Sequence, residues 1–581
     1  MKKLLTALLL ALPLLCHSKI VDESTARKAA ANFFKSSTSY APKLRLVRSA
    51  GEPQTKSAGE SGPACFIYDN PDGGFVIMSA DDCVRPVIGY SRNSRLPEKE
   101  LPENMKGWLD MWDGIIRKMS STGMSERGAK EQWQNLLSGK QLSAAAYGDE
   151  LLLETAQWNQ GYPYNLFCPK DGSELSVTGC TATATCIIMR YHRWPEAGEG
   201  MTEAYTTSTK NIYVPSITLG RRYEWDKMPL QYTGYETEEQ NKAVALLMAE
   251  VGAMIQSDYS ASGTGSSTYN VAQALPLFMK YDKKCINLFA GYYSRDEWIS
   301  MMKDNLNDAG PVLYAGYSPS GHAFVIDGYD RSDNMHINWG WGGYGNGYFT
   351  YPDFSEYTEG HSAVFNIYRD KGGECADNLV LYQHENQGNG LEVNVDAFDT
   401  GTEFNAMLTF VANYATQSFT GQVGVGKWDR YGNLKEVCGA QNLSLESYYL
   451  TSVMIPDCEI RTEIYMGDYL TPVHSSESTP DWVRMPYDLS DSSLCGRIDI
   501  SESRTLAQKT SVSYDVINRI CTVTTKTETS AALLDSESKD MTEAYRTDGK
   551  IVTIDAKSLP SGTYRLILDR GDEHKEIVLK F

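Results

Sequence analysis

Apolar and polar positions follow different patterns along this chain, and each pattern predicts a different kind of element. Apolar residues recur at helical spacing in residues 241–256, where Val244, Leu247 and Val251 fall on one stripe. A helix is also expected over about 22–40. Two short apolar runs flank the Asn-Pro-Asp-Gly-Gly turn at 70–74, which is the punctuation of a β-hairpin.

The pattern changes several times along the chain, and these changes indicate domains. The N-terminal part mixes a hairpin with helices, the middle mixes helices and strands, and the part after about residue 372 has short strands with few helical periods. The predicted fold class is α+β, followed by β-sandwich domains. The predicted segments are a signal peptide at 1–18, a propeptide at 19–143, a catalytic domain at 144–372, an immunoglobulin-like domain at 373–490 and a C-terminal β domain at 491–581.

The first eighteen residues have the features of a secretory signal peptide, with two lysines before an apolar run. A lipoprotein signal that anchors the chain through Cys16 is the rival interpretation, although the leucine before Cys16 fits it poorly. No other run reaches the roughly 18 apolar residues of a membrane span. We therefore expect an exported protein, secreted or at the cell surface, with no membrane span.

The net charge and the cysteine count indicate which kinds of partner and which state of the thiols to expect. The 581 residues carry a net charge of −20, which argues against nucleic acid because phosphate binding needs a basic face. Twelve cysteines are present, and loss of the signal peptide would leave an odd number. An odd count in an exported protein indicates at least one free thiol.

The stretch SVTGCTATATCIIMRYHRWP, residues 176–195, contains a thiol in an unusual place. Cys180 follows a glycine at the predicted first turn of a helix. There the helix dipole and free backbone N–H groups favour the thiolate, which is the nucleophilic form. The plainer interpretation is a small packing residue, as most cysteines are.

A thiol nucleophile needs a base, and the histidines differ in their fitness for that role. His192 is on the same helix and about 18 Å away from Cys180. His336 lies inside an apolar strand and is expected to pack there. His322 opens a strand after a polar loop, and Asn338 could hold one of its ring nitrogens. Cysteine, then histidine about 140 residues later, then asparagine is the chain order of papain-like proteases.

An oxyanion hole would need a side-chain donor beside the backbone N–H of Cys180. The upstream stretch QWNQGYPYN offers two glutamines, Gln157 and Gln160, and their position alone does not separate them.

These stretches resemble the streptopain family of papain-fold bacterial cysteine proteases, over about residues 151–369. The resemblance is carried by NQGYPYN, TGCTATATCIIMRYH, MAEVG, DYSASGTGSS, GHAFVIDGYD and HINWGWGG. The earlier GGFVIMSADD and VIGYS resemble the propeptide of that family. The resemblance implies a papain-like catalytic domain behind an inhibitory propeptide.

The resemblance also assigns roles to individual residues. It implies that Cys180 is the nucleophile, His322 the general base and Gln160, rather than Gln157, the oxyanion donor. Asn338 and Trp339 match the segment that orients and shields the histidine. The loop from Ser260 to Thr268 matches one that borders the substrate cleft.

The expected function is therefore an exported cysteine endopeptidase made as a zymogen, with its own propeptide as inhibitor in cis. Its substrates would be proteins or peptides, and the reaction needs no cofactor and no metal. Two alternatives are a catalytically silent papain-fold binding or inhibitor protein, and a transglutaminase-like acyl transferase. Residues 551–581 resemble a sorting domain of Bacteroidetes-type secretion but lack its Pro-Asn-Pro, and an accessory β-sandwich is the alternative.

Overall fold

The computed structural model describes most of the chain from residue 19 to residue 580. The ranges outside the described residues are 1–18, 36–42, 51–61, 98–100, 102, 141–148, 317–320, 352–359, 383–389, 396–397, 466, 488–495, 501–509, 516–519, 526–529, 536–538, 561, 571–572 and 581. The predicted signal peptide falls in these ranges, and so does most of the small and polar stretch GKQLSAAAYG at 139–148, which its composition predicts to be an exposed linker. The chain divides into two compact units, the first of residues 1–72, 76–88 and 112–143, the second of residues 73–75, 89–111 and 144–581.

The N-terminal part contains the predicted helices and hairpin. Its elements are α1 (Glu23–Lys35), β1 (Arg45–Ala50), β2 (Cys65–Asp69), β3 (Phe75–Ser79), β4 (Val87–Ser91), α2 (Glu103–Thr122) and α3 (Ala129–Leu137). In the first unit the strands pair in the order of the chain, and α1 buries Ala26, Ala30 and Phe34. Strands β2 and β3 are buried along their whole length, as their continuous apolar runs predict.

Residues 149–372 form the helices and antiparallel sheet that carry the candidate site. The helices are α4 (Cys180–His192), α5 (Glu238–Met254), α6 (Thr268–Phe278) and α7 (Arg295–Asp308), with short 3₁₀ helices at Trp225–Lys227 and Ala290–Tyr292. The strands are β5 (Leu151–Leu152), β6 (Lys170–Asp171), β7 (Glu174–Leu175), β8 (Tyr205–Thr206), β9 (Tyr213–Val214), β10 (Ile286–Phe289), β11 (Val312–Gly316), β12 (His322–Tyr329), β13 (Asn334–Asn338), β14 (Gly347–Thr350) and β15 (Ser362–Phe365).

The sheet of the second unit has the order β4-β14-β13-β12-β11-β15-β10, and β5 also pairs with β12. Helix α4 packs against β11, β12 and α5. It lies in the main core, and nine of its thirteen residues, from Thr181 to Met189, are buried. Its near-continuous apolar and small residues explain this, because a helix that is apolar all round must be buried all round.

Residues after 375 form antiparallel strands, as their pattern predicts. The strands are β16 (Leu379–Leu381), β17 (Leu391–Val393), β18 (Glu403–Asn413), β19 (Phe419–Trp428), β20 (Leu434–Leu445), β21 (Leu450–Glu459), β22 (Tyr469–Ser476), β23 (Val483–Arg484), β24 (Ile498–Asp499), β25 (Thr510–Asp515), β26 (Ile520–Thr525), β27 (Ser530–Leu534), β28 (Tyr545–Thr547), β29 (Ile551–Asp555), β30 (Thr563–Arg570) and β31 (Glu573–Lys580).

These strands enclose two hydrophobic cores. The first core lies between two sheets. One sheet has the strand order β16-β18-β17, with β21 also paired to β18, and the other has the order β20-β19-β22-β23, with β24 also paired to β22. We call this unit the first β-sandwich. Its buried residues run from Leu379 to Ile500. The other core joins β25-β26-β29-β28 with β27-β30-β31. The predicted domain boundaries and the sorting role of the last domain stay predictions. None of the helices in the described residues is both long enough and apolar enough for a membrane crossing.

Candidate active site

Cys180 is the first residue of α4, as the sequence predicts, and its side chain is partly exposed. Gly179 precedes it with φ at +88°, and a Cβ at this position would lie 2.7 Å from the carbonyl oxygen of Thr264. A side chain is therefore excluded both by the backbone conformation and by the close approach of the neighbouring loop. The glycine before the thiol is required because the loop around Thr264 lies directly on the start of the helix.

The other cysteines of the described residues contrast with Cys180. Apart from Cys180 and Cys375, they are buried. Burial raises the pKa of Cys168 to about 12 and raises that of Cys186 well above the ordinary value, because an apolar environment disfavours the thiolate. Among the cysteines of residues 151–369, Cys180 is the one that solvent reaches, and it lies at the start of a helix. Cys186 is a core residue, as the helical geometry predicts.

The loop 257–267, which we call the cleft loop, is held against the residues around Cys180. The carbonyl of Ser260 accepts from the N–H of Val177 at 3.1 Å, and the hydroxyl of Thr181 donates to the carbonyl of Ser266 at 3.0 Å. Within the loop, Asp258 and Gly265 form a β-bridge. The cleft loop therefore contacts the chain on both sides of Cys180, and the prediction that residues 260–268 border the substrate cleft stays a prediction.

His322 begins β12 and is paired with Gly316 on β11. The residue after it, Ala323, donates its backbone N–H to Sγ of Cys180 at 3.4 Å. The His322 side chain is partly exposed, whereas β12 is buried from Ala323 to Tyr329. The fold thus brings the start of β12 to the start of α4, although about 140 residues separate them in the chain.

The two glutamines that the sequence left open occupy different places. The carbonyl of Gln160 accepts from the backbone N–H of Thr178 at 3.1 Å, which ties Gln160 to the turn before Cys180. The side chain of Gln157 lies instead against Gly343, where a Cβ would be 2.4 Å from its Oε1. Gln160 is therefore the glutamine whose backbone is tied to the turn before α4, and the role of its side chain as oxyanion donor stays a prediction.

Asn338 lies at the end of β13, paired with Val325 of β12, and is 1% exposed. Its side-chain nitrogen donates to Oγ1 of Thr155 at 2.9 Å and to the carbonyl of Ala156 at 3.0 Å, and its oxygen accepts from Gly340 at 3.1 Å. These bonds join β13 to the segment before the glutamines. The predicted role of Asn338 in orienting His322 stays a prediction.

Trp339 is buried beside the strand that begins at His322. Its ring packs on Phe324, with ring centroids 5.0 Å apart, and on Phe349 at 5.1 Å, and its Nε1 donates to the carbonyl of Gly345 at 2.9 Å. Phe324 is two residues after His322, so Trp339 supports the same strand. The shielding role assigned to Trp339 by resemblance is a prediction that this position favours.

Sequence reasoning missed a buried polar network behind this strand. Asp327 of β12 accepts from Oγ1 of Thr155 and contacts Nδ1 of His336 at 2.5 Å. Thr155 in turn accepts from Asn338. His336 therefore is the packed sheet residue that its strand predicts, with an aspartate partner. An aspartate at an apolar strand position was the one available signal of this network.

Two further histidines of this region are held neutral by burial. Burial lowers the pKa of His361 to about 4, and its Nδ1 lies 3.0 Å from the hydroxyl of Tyr314. Burial and Arg369 lower the pKa of His192 to about 4. His192 closes the helix that Cys180 opens, so it is at the wrong end of α4 to act on the thiol.

Comparison with known proteins agrees with this geometry. The sequence model described as the Peptidase C10 family matches residues 158–349, and the one described as Spi protease inhibitor matches residues 18–116. The fold of residues 158–349 is therefore that of a papain-like cysteine peptidase, and residues 18–116 match an inhibitor-type propeptide. Residues 158–349 belong to the peptidase C10 family.

The relatives cover different shares of the chain. This chain is 31% identical over 358 residues to the thiol protease/hemagglutinin PrtT of Porphyromonas gingivalis, a match that covers 59% of this chain and 40% of PrtT. It is 29% identical over 347 residues to streptopain of Streptococcus pyogenes, covering 56% of this chain and 84% of streptopain. A solved prointerpain A fragment of Prevotella intermedia is 25% identical with a TM-score of 0.46, covering 56% of this chain and 99% of the fragment.

Proposed function

We propose that this chain is an exported cysteine endopeptidase made as a zymogen. The observation that carries the proposal is the contact between the N–H of Ala323 and Sγ of Cys180, which brings the His322 end of β12 to a partly exposed thiol at a helix start. Nucleophilic catalysis by a thiol requires this kind of neighbourhood, a base within reach and a positive local field.

In the proposed reaction the Cys180 thiolate attacks the carbonyl carbon of the scissile peptide bond. The oxyanion that forms is stabilised by the backbone N–H of Cys180 and the side chain of Gln160. His322 then gives its proton to the leaving amine, and the C–N bond breaks to leave a thioester on Cys180. Water, activated by His322, hydrolyses the thioester and restores the free thiol.

The propeptide is proposed as an inhibitor that acts in cis, and a part of it within the second unit supports this. Gly89 and Tyr90 of β4 pair with β14, and the Tyr90 ring stacks on Tyr348 at 5.3 Å. The hydroxyl of Ser94 donates to the carbonyl of Gly343 at 2.7 Å.

The same segment also contacts the loop that follows Trp339. The carbonyl of Arg95 accepts from the N–H of Gly345 at 2.9 Å, and Trp108 meets Phe349 edge-on at 4.9 Å. Trp339 packs on Phe349 and donates to Gly345. The propeptide segment 89–111 therefore contacts the residues that support the strand of His322, a position from which it can cover or displace the catalytic pair.

A catalytically silent binding protein is the second candidate. A fold that served only binding would have no need for an exposed thiol, a histidine strand and a glutamine at one place, so the site favours the enzyme. A transglutaminase-like acyl transferase would use the same thioester with an amine as acceptor. The two enzymes differ in product, because the peptidase releases a free carboxylate whereas the acyl transferase forms a new amide.

Activity of the mature protein towards a mixed peptide library, with product analysis by mass spectrometry, tests this function. We expect cleaved peptides with free carboxyl ends, and no cleavage by Cys180→Ala or His322→Ala. Circular dichroism of both variants should match the parent protein, since neither side chain is part of the core. Unchanged turnover by Cys180→Ala would overturn the proposal.

A further inference from the structure

Near the cleft loop, the first β-sandwich contacts the catalytic region through one of its turns. This turn, residues 446–449, joins β20 to β21. Tyr448 lies on the ring of Tyr269, with ring centroids 3.5 Å apart, and the hydroxyl of Ser447 is 2.9 Å from that of Tyr269. Tyr269 is the second residue of α6, which begins directly after the cleft loop.

The turn is fixed from within its own sandwich. Asn413 is fully buried, and its side-chain nitrogen donates to the carbonyls of Gln417, Leu445 and Glu446. The N–H of Tyr448 donates to the carbonyl of Asn413 at 2.8 Å, and the hydroxyl of Ser447 donates to that of Ala415 at 2.7 Å. Because its backbone is tied at so many points, the turn presents Tyr448 in one place.

Tyr448 itself has a costly backbone conformation. Its φ is +62°, in the left-handed region that non-glycine residues seldom adopt. Such a conformation is unfavourable and persists only where the surroundings over-determine it. Strained residues of this kind are found where a side chain must be held in place, which here is against Tyr269.

Further contacts keep the sandwich on the same side of the catalytic region. Tyr414 meets both Tyr448 and Phe289, with ring centroids 5.5 Å and 5.1 Å away, and Asn378 donates to the carbonyl of Asn287 at 3.2 Å. Phe289 and Asn287 belong to β10, which packs against α6. The contact at Tyr448 is therefore the cleft-side end of a continuous interface.

From α6 the connection to the nucleophile is short. Ser267 caps α6 by accepting from the N–H of Tyr269 at 3.2 Å, and its neighbour Ser266 accepts from Thr181, the residue after Cys180. Thr264 of the same loop lies on Gly179. A change in the position of Tyr269 would therefore move the cleft loop, which contacts the residues on both sides of Cys180.

We propose that the first β-sandwich is a working part of the peptidase, whose turn 446–449 positions the N-terminal end of α6 and thereby sets the shape of the cleft loop. Tyr448 and Ser447 are positioning residues for substrate selection and touch no reacting atom. The proposal rests on the proposed function, because the shape of the cleft loop can select substrates only if the protein acts on them.

The first measurement needs no activity. Hydrogen exchange of residues 257–267 is followed by mass spectrometry in the inactive Cys180→Ala protein and in the same protein with Tyr448→Asn. Asparagine tolerates the left-handed backbone, so the substitution removes the ring and leaves the turn. We expect exchange in the loop to rise about three- to tenfold, the loss of one aromatic contact. Tyr431→Asn, which removes a tyrosine 75% exposed on another turn of the same sandwich, should change nothing in the loop.

The second measurement uses the active protein. Tyr448→Asn should raise KM for peptides about three- to tenfold while kcat and the rate of Cys180 alkylation by iodoacetamide stay within twofold. Tyr448→Phe keeps the ring and should restore the parent KM. Unchanged exchange in the loop would overturn the proposal, as would raised exchange without any change in KM. If the parent protein cleaves no peptide, the proposed function fails, and the exchange result still decides whether the turn holds the loop.

Discussion

The backbone N–H of Ala323 donates to Sγ of Cys180 at 3.4 Å. This bond joins the first residue of a buried helix to the second residue of a central strand. It also brings His322, the neighbour of Ala323 at the exposed end of β12, towards the thiol, which favours His322 as the proposed base. His361 is buried and His192 is half-buried elsewhere, and in both the pKa is lowered to about 4.

Gln160→Ala should lower kcat by about 10²–10³ with little change in KM, the usual effect of losing one oxyanion donor. The matched control is Gln157→Ala, whose side chain packs on Gly343 and should affect kcat by less than about tenfold. Steady-state kinetics on one peptide substrate compares the two. A Gln160→Ala enzyme within a factor of three of the parent would exclude Gln160 from the site.

Activation should proceed by a cut between Gly139 and Gly148, in the small and polar stretch GKQLSAAAYG. Active mature enzyme is added to the Cys180→Ala precursor, and the new N-terminus is sequenced. A propeptide held in cis has an effective concentration on the order of millimolar, so modest affinity suffices to block the site until the cut. Full activity of an uncleavable precursor on a protein substrate would refute inhibition in cis.

Acid should destabilise the catalytic region partly through His361. Its folded pKa of about 4 lies below the ordinary 6.5, so the unfolded chain takes up the proton first. The stabilisation is present above pH 6.5 and is lost as the pH falls towards 4, by about 2–3 kcal/mol. Thermal unfolding midpoints of the Cys180→Ala protein should therefore fall less steeply between pH 7 and pH 4.5 with His361→Gln added.

Tyr314→Phe is the control for this effect. It removes the hydroxyl that bonds Nδ1 of His361 but leaves the titrating ring in place. Its pH slope should match that of the parent protein, while its midpoint is lower at every pH. Equal slopes for the parent and the His361→Gln variant would show that His361 does not contribute.

The first β-sandwich should depend on a buried ion pair. Lys427 is 1% exposed and lies 3.2 Å from the carboxylate of Asp468, and it also donates to Thr462 and Glu463. Lys427→Met would leave the Asp468 charge buried without its partner and should cost about 3–5 kcal/mol. Urea unfolding followed by tryptophan fluorescence measures the loss.

An exposed pair provides the comparison. Lys435→Met breaks the contact with Asp429, where the lysine is 48% exposed, and should cost less than about 1 kcal/mol. The double variant Lys427→Met, Asp468→Leu should recover much of the loss, because no charge is then buried. A loss from Lys427→Met as small as that from Lys435→Met would contradict this account.

The sequence by itself determined the elements and the chemistry. Helical spacing indicated α5, the apolar runs around residues 70–74 indicated the β2–β3 hairpin, and a thiol after a glycine marked the start of α4. The family followed from motifs in a fixed order. These signals are local, because periodicity, turn residues and motif spacing depend on neighbours in the chain.

Only the tertiary structure decided which distant residues meet. It separated Gln160, tied to Thr178, from Gln157, which packs on Gly343. It also joined Asp327 to Thr155, 172 residues away in the chain, and placed Tyr448 on Tyr269, 179 residues away. No local pattern encodes such contacts, since strand order and the docking of separate cores arise when apolar surfaces are buried together and every buried polar group must find a partner.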